Sequence, residues 1–211
     1  MPKIKPFEKY SDAYDDWFEK NHDLYESELK AIRRLLPSSS ANRLEVGVGS
    51  GKFAAPLGIQ FGVDPSEKMA RKARELGIHV CLGVAEDLPF PDGSFECALM
   101  VTTICFVDDI KKSFREVRRI LRSCGFIVVG FVDRNSALGQ KYLSKSKESK
   151  FYNEATFFST QEVLNFLEKA GFGSVQIKQT LIPGESKDSI LEGYGKGAFV
   201  AIKAEKRTGS R

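Results

Sequence analysis

The sequence predicts an α/β fold with helices on both faces of a largely parallel sheet. Three observations carry that prediction. Strand-like and helix-like segments alternate from residue 43 to residue 171, the pattern of parallel strands joined by helical crossovers. Residues 97–101 and 126–132 are apolar almost without interruption, as strands covered on both faces are. A glycine loop, Gly47-Val48-Gly49-Ser50-Gly51, follows the first strand, where open α/β sheets bind ligand.

The elements follow in order. Residues 11–36 read as two helical segments, with Tyr25, Leu29, Ile32 and Leu36 on one face and a stop at Pro37 and three serines. Residues 1–40 would then form an N-terminal helical cap, and residues 41–205 the main domain. Residues 43–46 are a strand running into the glycine loop and its helix. Residues 61–64 are a second strand. Ser66 caps a helix that carries Met69, Ala70, Ala73 and Leu76 on one face and stops at Gly77. Residues 78–82 are a third strand and 97–101 a fourth. Asp108 or Asp109 caps a helix to Arg122, and 126–132 is a fifth strand. Residues 134–158 show no period and read as an insert or lid. Ser159-Thr160-Gln161-Glu162 is a capping box. Two strands follow near 175–182 and 198–204, and residues 206–211 read as a polar tail.

Composition bounds the function. The 211 residues are 42% hydrophobic and 28% charged, which suits one globular domain and excludes a disordered or collagen-like chain. No apolar run reaches the roughly 20 residues of a membrane span, and MPKIKPFEKYSDAYDD has no signal core. No membrane association and a cytoplasmic location are expected. Of the four cysteines, all but Cys124 lie in apolar or strand-like runs, so buried free thiols are expected. Two histidines and scattered thiols offer no metal-ligand pairs.

Net charge is +4, but residues 111–150 hold eleven Lys and Arg against three acidic residues. Such a stretch can meet nucleic acid. The favoured reading is an amphipathic helix: Ile110, Phe114, Val117, Ile120 and Leu121 on one side, with Lys111, Lys112, Arg115, Arg118, Arg119 and Arg122 largely between them.

The glycine loop fits neither common phosphate motif. A P-loop would need glycine at Val46 and a hydroxyl at Phe53; a dinucleotide fingerprint would need its third glycine at Lys52. What stands is Glu45-x-Gly47-x-Gly49-x-Gly51, a spacing that suits a ligand whose amino-acid moiety approaches the backbone. Asp64, at the end of the second strand, suits two ribose hydroxyls. The third element, Gly83-Val84-Ala85-Glu86-Asp87-Leu88-Pro89-Phe90-Pro91-Asp92-Gly93, is a loop and turn entering the fourth strand.

With LEVGVGSGKF, GVDPSEKM, GVAEDLPFPDGSF and FREVRRILRSCG in this order, residues 45–125 resemble the class I S-adenosylmethionine-dependent methyltransferases, of the small type 11 kind. KYSDAYDDWF resembles the N-terminal cap segment common there. The resemblance implies a Rossmann-like seven-stranded sheet of order 3-2-1-4-5-7-6 with the last strand antiparallel, and S-adenosyl-L-methionine as cofactor, leaving S-adenosyl-L-homocysteine. It implies that Gly47, Val48, Gly49 and Gly51 approach the methionine part. Glu45 orders the loop and binds the amino group, directly or through water, and Asp64 holds the ribose. Pro65, Ala85 and Glu86 border the adenine, and Val101 and Thr102 offer carbonyls to the ammonium. The chain departs from the pattern at Val84, where aspartate is common, at Cys105-Phe106, where many relatives carry a histidine pair, and at Ser123-Cys124-Gly125.

Methyl transfer needs alignment more than a nucleophile from the protein, and positioning supplies ~7–11 kcal/mol. Asp133 and Tyr14 are the candidate bases, if one is used; Tyr14 is also a candidate to cover the cofactor. His22 and His79 are expected to be structural or exposed. Tyr10, Trp17, Phe106 and Tyr142 are the candidate acceptor contacts. The leading reading is transfer to a small-molecule acceptor, with nucleic acid disfavoured. The rivals are an RNA or protein methyltransferase using residues 111–150, and a cofactor-binding protein without turnover.

Overall fold

An eight-stranded mixed sheet organises the computed structural model, which describes residues 3–37 and 42–207. The strands are β1 (Arg43–Val46), β2 (Phe61–Asp64), β3 (His79–Leu82), β4 (Phe95–Val101), β5 (Leu121–Val132), β6 (Phe172–Thr180), β7 (Leu191–Glu192) and β8 (Phe199–Lys206), in the spatial order β3-β2-β1-β4-β5-β8-β6-β7. The first five pair in parallel, and β8 lies antiparallel between β5 and β6. The expected order therefore stands, with β8 in the place of the seventh strand. The count is eight because β7 adds an antiparallel edge pairing, Gln179 with Leu191 and Lys178 with Glu192. Two residues are too short for any periodicity to reveal.

The sheet is covered on both faces. Leu44, Met100, Ile127 and Val129 pack beneath α5 (Ile110–Ile120) and α7 (Thr160–Lys169), through Phe114, Val117, Val163 and Leu167. On the other face Leu99, Val128 and Phe199 meet Phe18 of α2 (Ser11–Lys20) and Leu29 and Ile32 of α3 (His22–Arg33). Each such side chain contributes ~1.5–3 kcal/mol on burial. A short α1 (Lys5–Lys9) precedes α2 and was not expected. Between β2 and β3, α4 (Glu67–Glu75) starts at Ser66, whose hydroxyl accepts the Met69 N–H. No helix among the described residues is long and apolar enough to cross a membrane.

Several boundaries move. The glycine loop is followed by consecutive turns over residues 51–58, not by a regular helix. Ala55 and Leu57 donate to Gly51 and Phe53, but Pro56 between them has no N–H, and Gly58 turns left-handed at φ 67°. Asp109 caps α5, accepting from Lys111 and Lys112, and α5 ends at Ile120. The chain enters β5 at Leu121, five residues early, through a register shift near Phe95 and a left-handed Cys124. Residues 134–158 contain α6 (Ala137–Ser144) and two 3-10 turns, Ser146–Glu148 and Tyr152–Glu154. Lys206 belongs to β8 and pairs with Phe172, so the tail starts later; residues 208–211, like Ser38–Ser40, lie outside the described residues. Cys97 is buried and Cys105 half-buried, but Cys81 is exposed with Cys124, because β3 is an edge strand. His22 and His79 are exposed.

Candidate active site

The parallel register brings the carboxyl ends of β1, β2 and β4 to one edge of the sheet, and the glycine loop crosses it. Gly47 and Gly49 both have positive φ, 71° and 55°. A β-carbon on Gly47 would stand 2.3 Å from the Thr103 Cγ2; one on Gly49 would meet Met69 Cε at 3.5 Å and Tyr14 Oη at 3.6 Å. Gly47 and Val48 donate their N–H groups to the Val63 carbonyl, fixing the loop to β2. Asp64 completes the tie: its Oδ2 accepts the Gly49 N–H at 2.8 Å and its Oδ1 the Ser66 N–H at 2.9 Å. Burial pushes its carboxyl up to about 6, against the lowering effect of those two N–H groups.

Twelve of the side chains and backbone positions singled out in the sequence converge on one cavity: Tyr14, Trp17, Gly47, Gly49, Asp64, Pro65, Ala85, Glu86, Val101, Thr102, Phe106 and Tyr142. Thr102 holds a left-handed backbone at φ 51°, strain of the kind that clusters at ligand sites. The Val101 carbonyl accepts the Thr103 hydroxyl at 3.0 Å, and the Glu86 carboxylate accepts the Asp108 and Asp109 N–H groups.

Five do not line it. Val48 is buried beneath the loop against Gly62, and Gly51 is there for packing, since a β-carbon would meet Ile78 Cδ1 at 2.7 Å. Glu45 lies under the loop and takes a hydrogen bond from the Ala54 backbone; burial holds its carboxyl well above the usual range, and its Oε2 has no hydrogen-bond partner among the described residues. Tyr10 packs on Phe151, with the Lys9 and Lys150 ammonium groups each 5.1 Å from its ring centre. Asp133 is turned away: Thr160 donates its hydroxyl and N–H to Oδ2, and Asn135 its N–H to Oδ1, so Asp133 ties the start of α7. Tyr14, the other candidate base, is pushed far up by burial and by the charges of Glu45 and Asp64, which keeps its hydroxyl protonated.

The far wall is aromatic and largely came from residues without a distinctive pattern. Tyr152 stacks between Phe106 and Tyr142, with ring centres 5.9 and 5.4 Å away. Phe151 meets Phe7 and Tyr14 across the opening between the 134–158 segment and the N-terminal helices. Those helices are fastened to the glycine loop and α4 by polar contacts: the Ser50 hydroxyl donates to Asp15, and Lys72 pairs with Asp12 and Asp15 at 2.6 and 2.7 Å. Among the lining residues that escaped sequence reasoning, one carries a carboxyl. Glu28 of α3 is 4% exposed, and burial pushes its carboxyl up to about 8. Its signal was available: Tyr25, Leu29 and Ile32 form the apolar stripe, and Glu28 falls inside it.

Residues 44–129 match the family described as a methyltransferase domain. The chain is 43% identical to an uncharacterised protein of Methanocaldococcus jannaschii over 203 residues, spanning 95% of this chain and 98% of that one. It is similar to the solved structure of a Thermotoga maritima S-adenosylmethionine-dependent methyltransferase, described as a possible histamine N-methyltransferase. The TM-score is 0.92 and the identity 45%, over 97% of this chain and 100% of that one. A Mesorhizobium loti S-adenosylmethionine-dependent methyltransferase shares the fold at 21% identity and TM-score 0.65, over 85% and 98% of the two chains.

Proposed function

This chain belongs to the S-adenosylmethionine-dependent methyltransferases, and we propose that it transfers the methyl group to a small-molecule acceptor held in the aromatic chamber beside the glycine loop. Its cofactor is S-adenosyl-L-methionine, which supplies an electrophilic methyl group on a sulfonium. The residues present fit that cofactor. Gly47 and Gly49 leave backbone open where side chains would stand, and Glu45 keeps an unpartnered buried oxygen behind the loop. In this reading Asp64 takes the ribose hydroxyls, Pro65, Val84, Ala85 and Glu86 border the base, and Val101 and Thr102 face the ammonium. Val48, Gly51 and Glu45 hold the loop in shape. Residues 3–37 act as the cap and residues 134–158 as a lid.

One observation carries the small-molecule reading. The acceptor side of the cavity is walled by the rings of Trp17, Phe106, Tyr142, Phe151 and Tyr152, an aromatic lining of the kind that holds a small molecule. The description of the Thermotoga maritima relative names a small amine, which agrees with it. The chain's own part in the reaction is to bind, orient and exclude water, so that the acceptor lone pair lies in line with the bond that breaks. A screen of amine, phenol and carboxylate acceptors with methyl-labelled cofactor tests this, run beside bulk RNA and protein. Label entering only macromolecules would overturn it.

A further inference from the structure

We propose that Glu28 is the acceptor-binding carboxylate of this enzyme, and that the acceptor is a small amine entering as its ammonium ion; this rests on the small-molecule reading above. Glu28 is buried in the middle of α3, yet it lines the cavity. Among the described residues, no side chain or backbone group bonds its carboxyl, and no lysine or arginine pairs with it. A buried carboxyl without a partner is costly, and folds keep one where something completes it. The groups facing it are tyrosines: Tyr14 of α2, Tyr25 of α3, Tyr142 of α6 and Tyr152 of the second 3-10 turn all feel its charge. Burial raises each of them, so none titrates near neutrality. None brings a positive charge, so before an amine enters the carboxyl is kept neutral by its own proton, and a cation is what would draw that proton off.

The surroundings select a cation. Ring faces attract ammonium groups, and Phe106, Tyr152 and Tyr142 form a stack in the cavity that Glu28 also lines. The cavity is lined by four carboxyls, Glu28, Asp64, Glu86 and Asp108, against one cation, Lys3. An anionic acceptor would be repelled. Tyr14 lines the cavity together with Glu28, and its hydroxyl lies 3.6 Å from where a Gly49 β-carbon would stand, so Glu28 and the cofactor loop open on the same chamber.

The carboxylate also has chemistry to perform, because an ammonium ion has no lone pair to give. The charge of the entering ammonium first draws off to solvent the proton that Glu28 otherwise holds at neutral pH, and the resulting carboxylate takes one N–H proton, leaving a neutral amine. The nitrogen lone pair forms the new N–C bond to the methyl carbon, and the carbon–sulfur bond breaks with its electron pair going to sulfur. The product leaves as an N-methylammonium ion, and Glu28 returns its proton to solvent. Burial supports this step by bringing Glu28, at about 8, nearer to an alkylamine's roughly 10.

Trp17 is the single tryptophan and lines the cavity, so its fluorescence reports binding without turnover. The protein, saturated with S-adenosylhomocysteine, is titrated with butylamine, 2-phenylethylamine and histamine, each against the alcohol of the same skeleton. At least one amine should bind more than tenfold tighter than its alcohol. Glu28→Gln should bring that ratio to within threefold while S-adenosylhomocysteine affinity, by calorimetry, stays within twofold. Amines that never outbind their alcohols overturn the proposal in the wild-type protein alone, even if the variant fails to fold. An amine preference that survives in Glu28→Gln overturns it as well. Phenols or alcohols methylated while amines are ignored would sink the proposal and leave the small-molecule reading intact. No small acceptor of any class methylated, with cofactor product bound normally, would sink both.

Discussion

The Asp64 carboxylate holds the glycine loop from outside it, its Oδ2 accepting the Gly49 N–H at 2.8 Å while its Oδ1 takes the Ser66 N–H. A residue expected to serve only the ribose thus also orders the two backbone segments that flank it. Asp64→Ala should weaken S-adenosylhomocysteine binding by about 1–3 kcal/mol. It should also lower stability by about 1–2 kcal/mol, because two buried N–H groups lose their acceptor. Calorimetry and thermal melts on the same sample separate the effects. Asp64→Asn, whose single amide oxygen can accept only one of the two N–H groups, should recover part of the stability and less of the affinity. Wild-type affinity in Asp64→Ala would remove the ribose assignment.

Gly47 and Gly49 look equivalent in the sequence and differ in the structure. A β-carbon at Gly47 overlaps Thr103 at 2.3 Å, whereas at Gly49 it would make ordinary contacts of 3.5 Å and beyond. Gly47→Ala should therefore destabilise by more than the ~1–2 kcal/mol that left-handed backbone alone costs an alanine. Gly49→Ala should lose about that amount, keep a native circular dichroism spectrum, and lose cofactor affinity at least tenfold. Equal melting temperatures for the two variants would mean that Thr103 yields freely.

Glu28 predicts a stability profile independent of any acceptor. Its folded-state pKa stands at about 8 against 4.5 for the free side chain, so the native protein retains a proton that the unfolded chain releases. That contribution is full below about pH 4.5 and is lost as pH rises through about 8. Asp64, raised to about 6, adds a similar loss over a lower range. Glu28→Gln removes only the first. At pH 9 the variant should be more stable than wild type by roughly 2 kcal/mol or more, about 4–8 °C in Tm. At pH 5 the two should nearly coincide. Parallel Tm profiles from pH 5 to 9 would show that the carboxyl is not held in an apolar setting.

Legibility in the sequence followed the strength of local signals. β1 and β2 were placed to the residue because short, buried runs are bounded by the glycine loop and by Asp64-Pro65. The aspartate pair at 108 and 109, of which Asp109 is the cap, and the Ser159–Glu162 capping box declared their helices for the same reason. β7 was invisible because two residues carry no period, and Pro56 broke a helix that the strand–helix alternation alone had supplied. The cofactor wall was legible because its residues are contiguous in three loops. The acceptor wall was legible only in part: Trp17, Phe106 and Tyr142 were named, but that they meet Glu28, Phe151 and Tyr152 from separate segments is set by the fold alone. Asp133 misled for the opposite reason. A strand-end carboxylate resembles a catalytic group until the chain returns with Thr160 to bond it.

The basic helix α5 discriminates between a pocket enzyme and one that grips nucleic acid. Arg119 is spent on structure: it pairs with Glu116 and Asp92 and donates to the Leu88 and Phe90 carbonyls. Arg118 packs at Gly171. Lys112, Arg115 and Arg122 are the better probes, since the ion pair of Arg122 with Glu96 is a surface pair worth at most about 1 kcal/mol. Replacing all three by glutamine should leave Tm within about 2–4 °C, and cofactor affinity and small-acceptor turnover nearly unchanged, because none of the three lines the cavity. If these side chains instead contacted RNA phosphates, each contact would release counterions, and the wild-type salt slope for single strands would fall by roughly 2 in the triple variant. Tight RNA binding at physiological salt, lost with those three side chains, would move the acceptor out of the aromatic chamber and onto the α5 face. Weak binding with the same slope in both proteins leaves the acceptor where the enclosed side chains are, against Glu28.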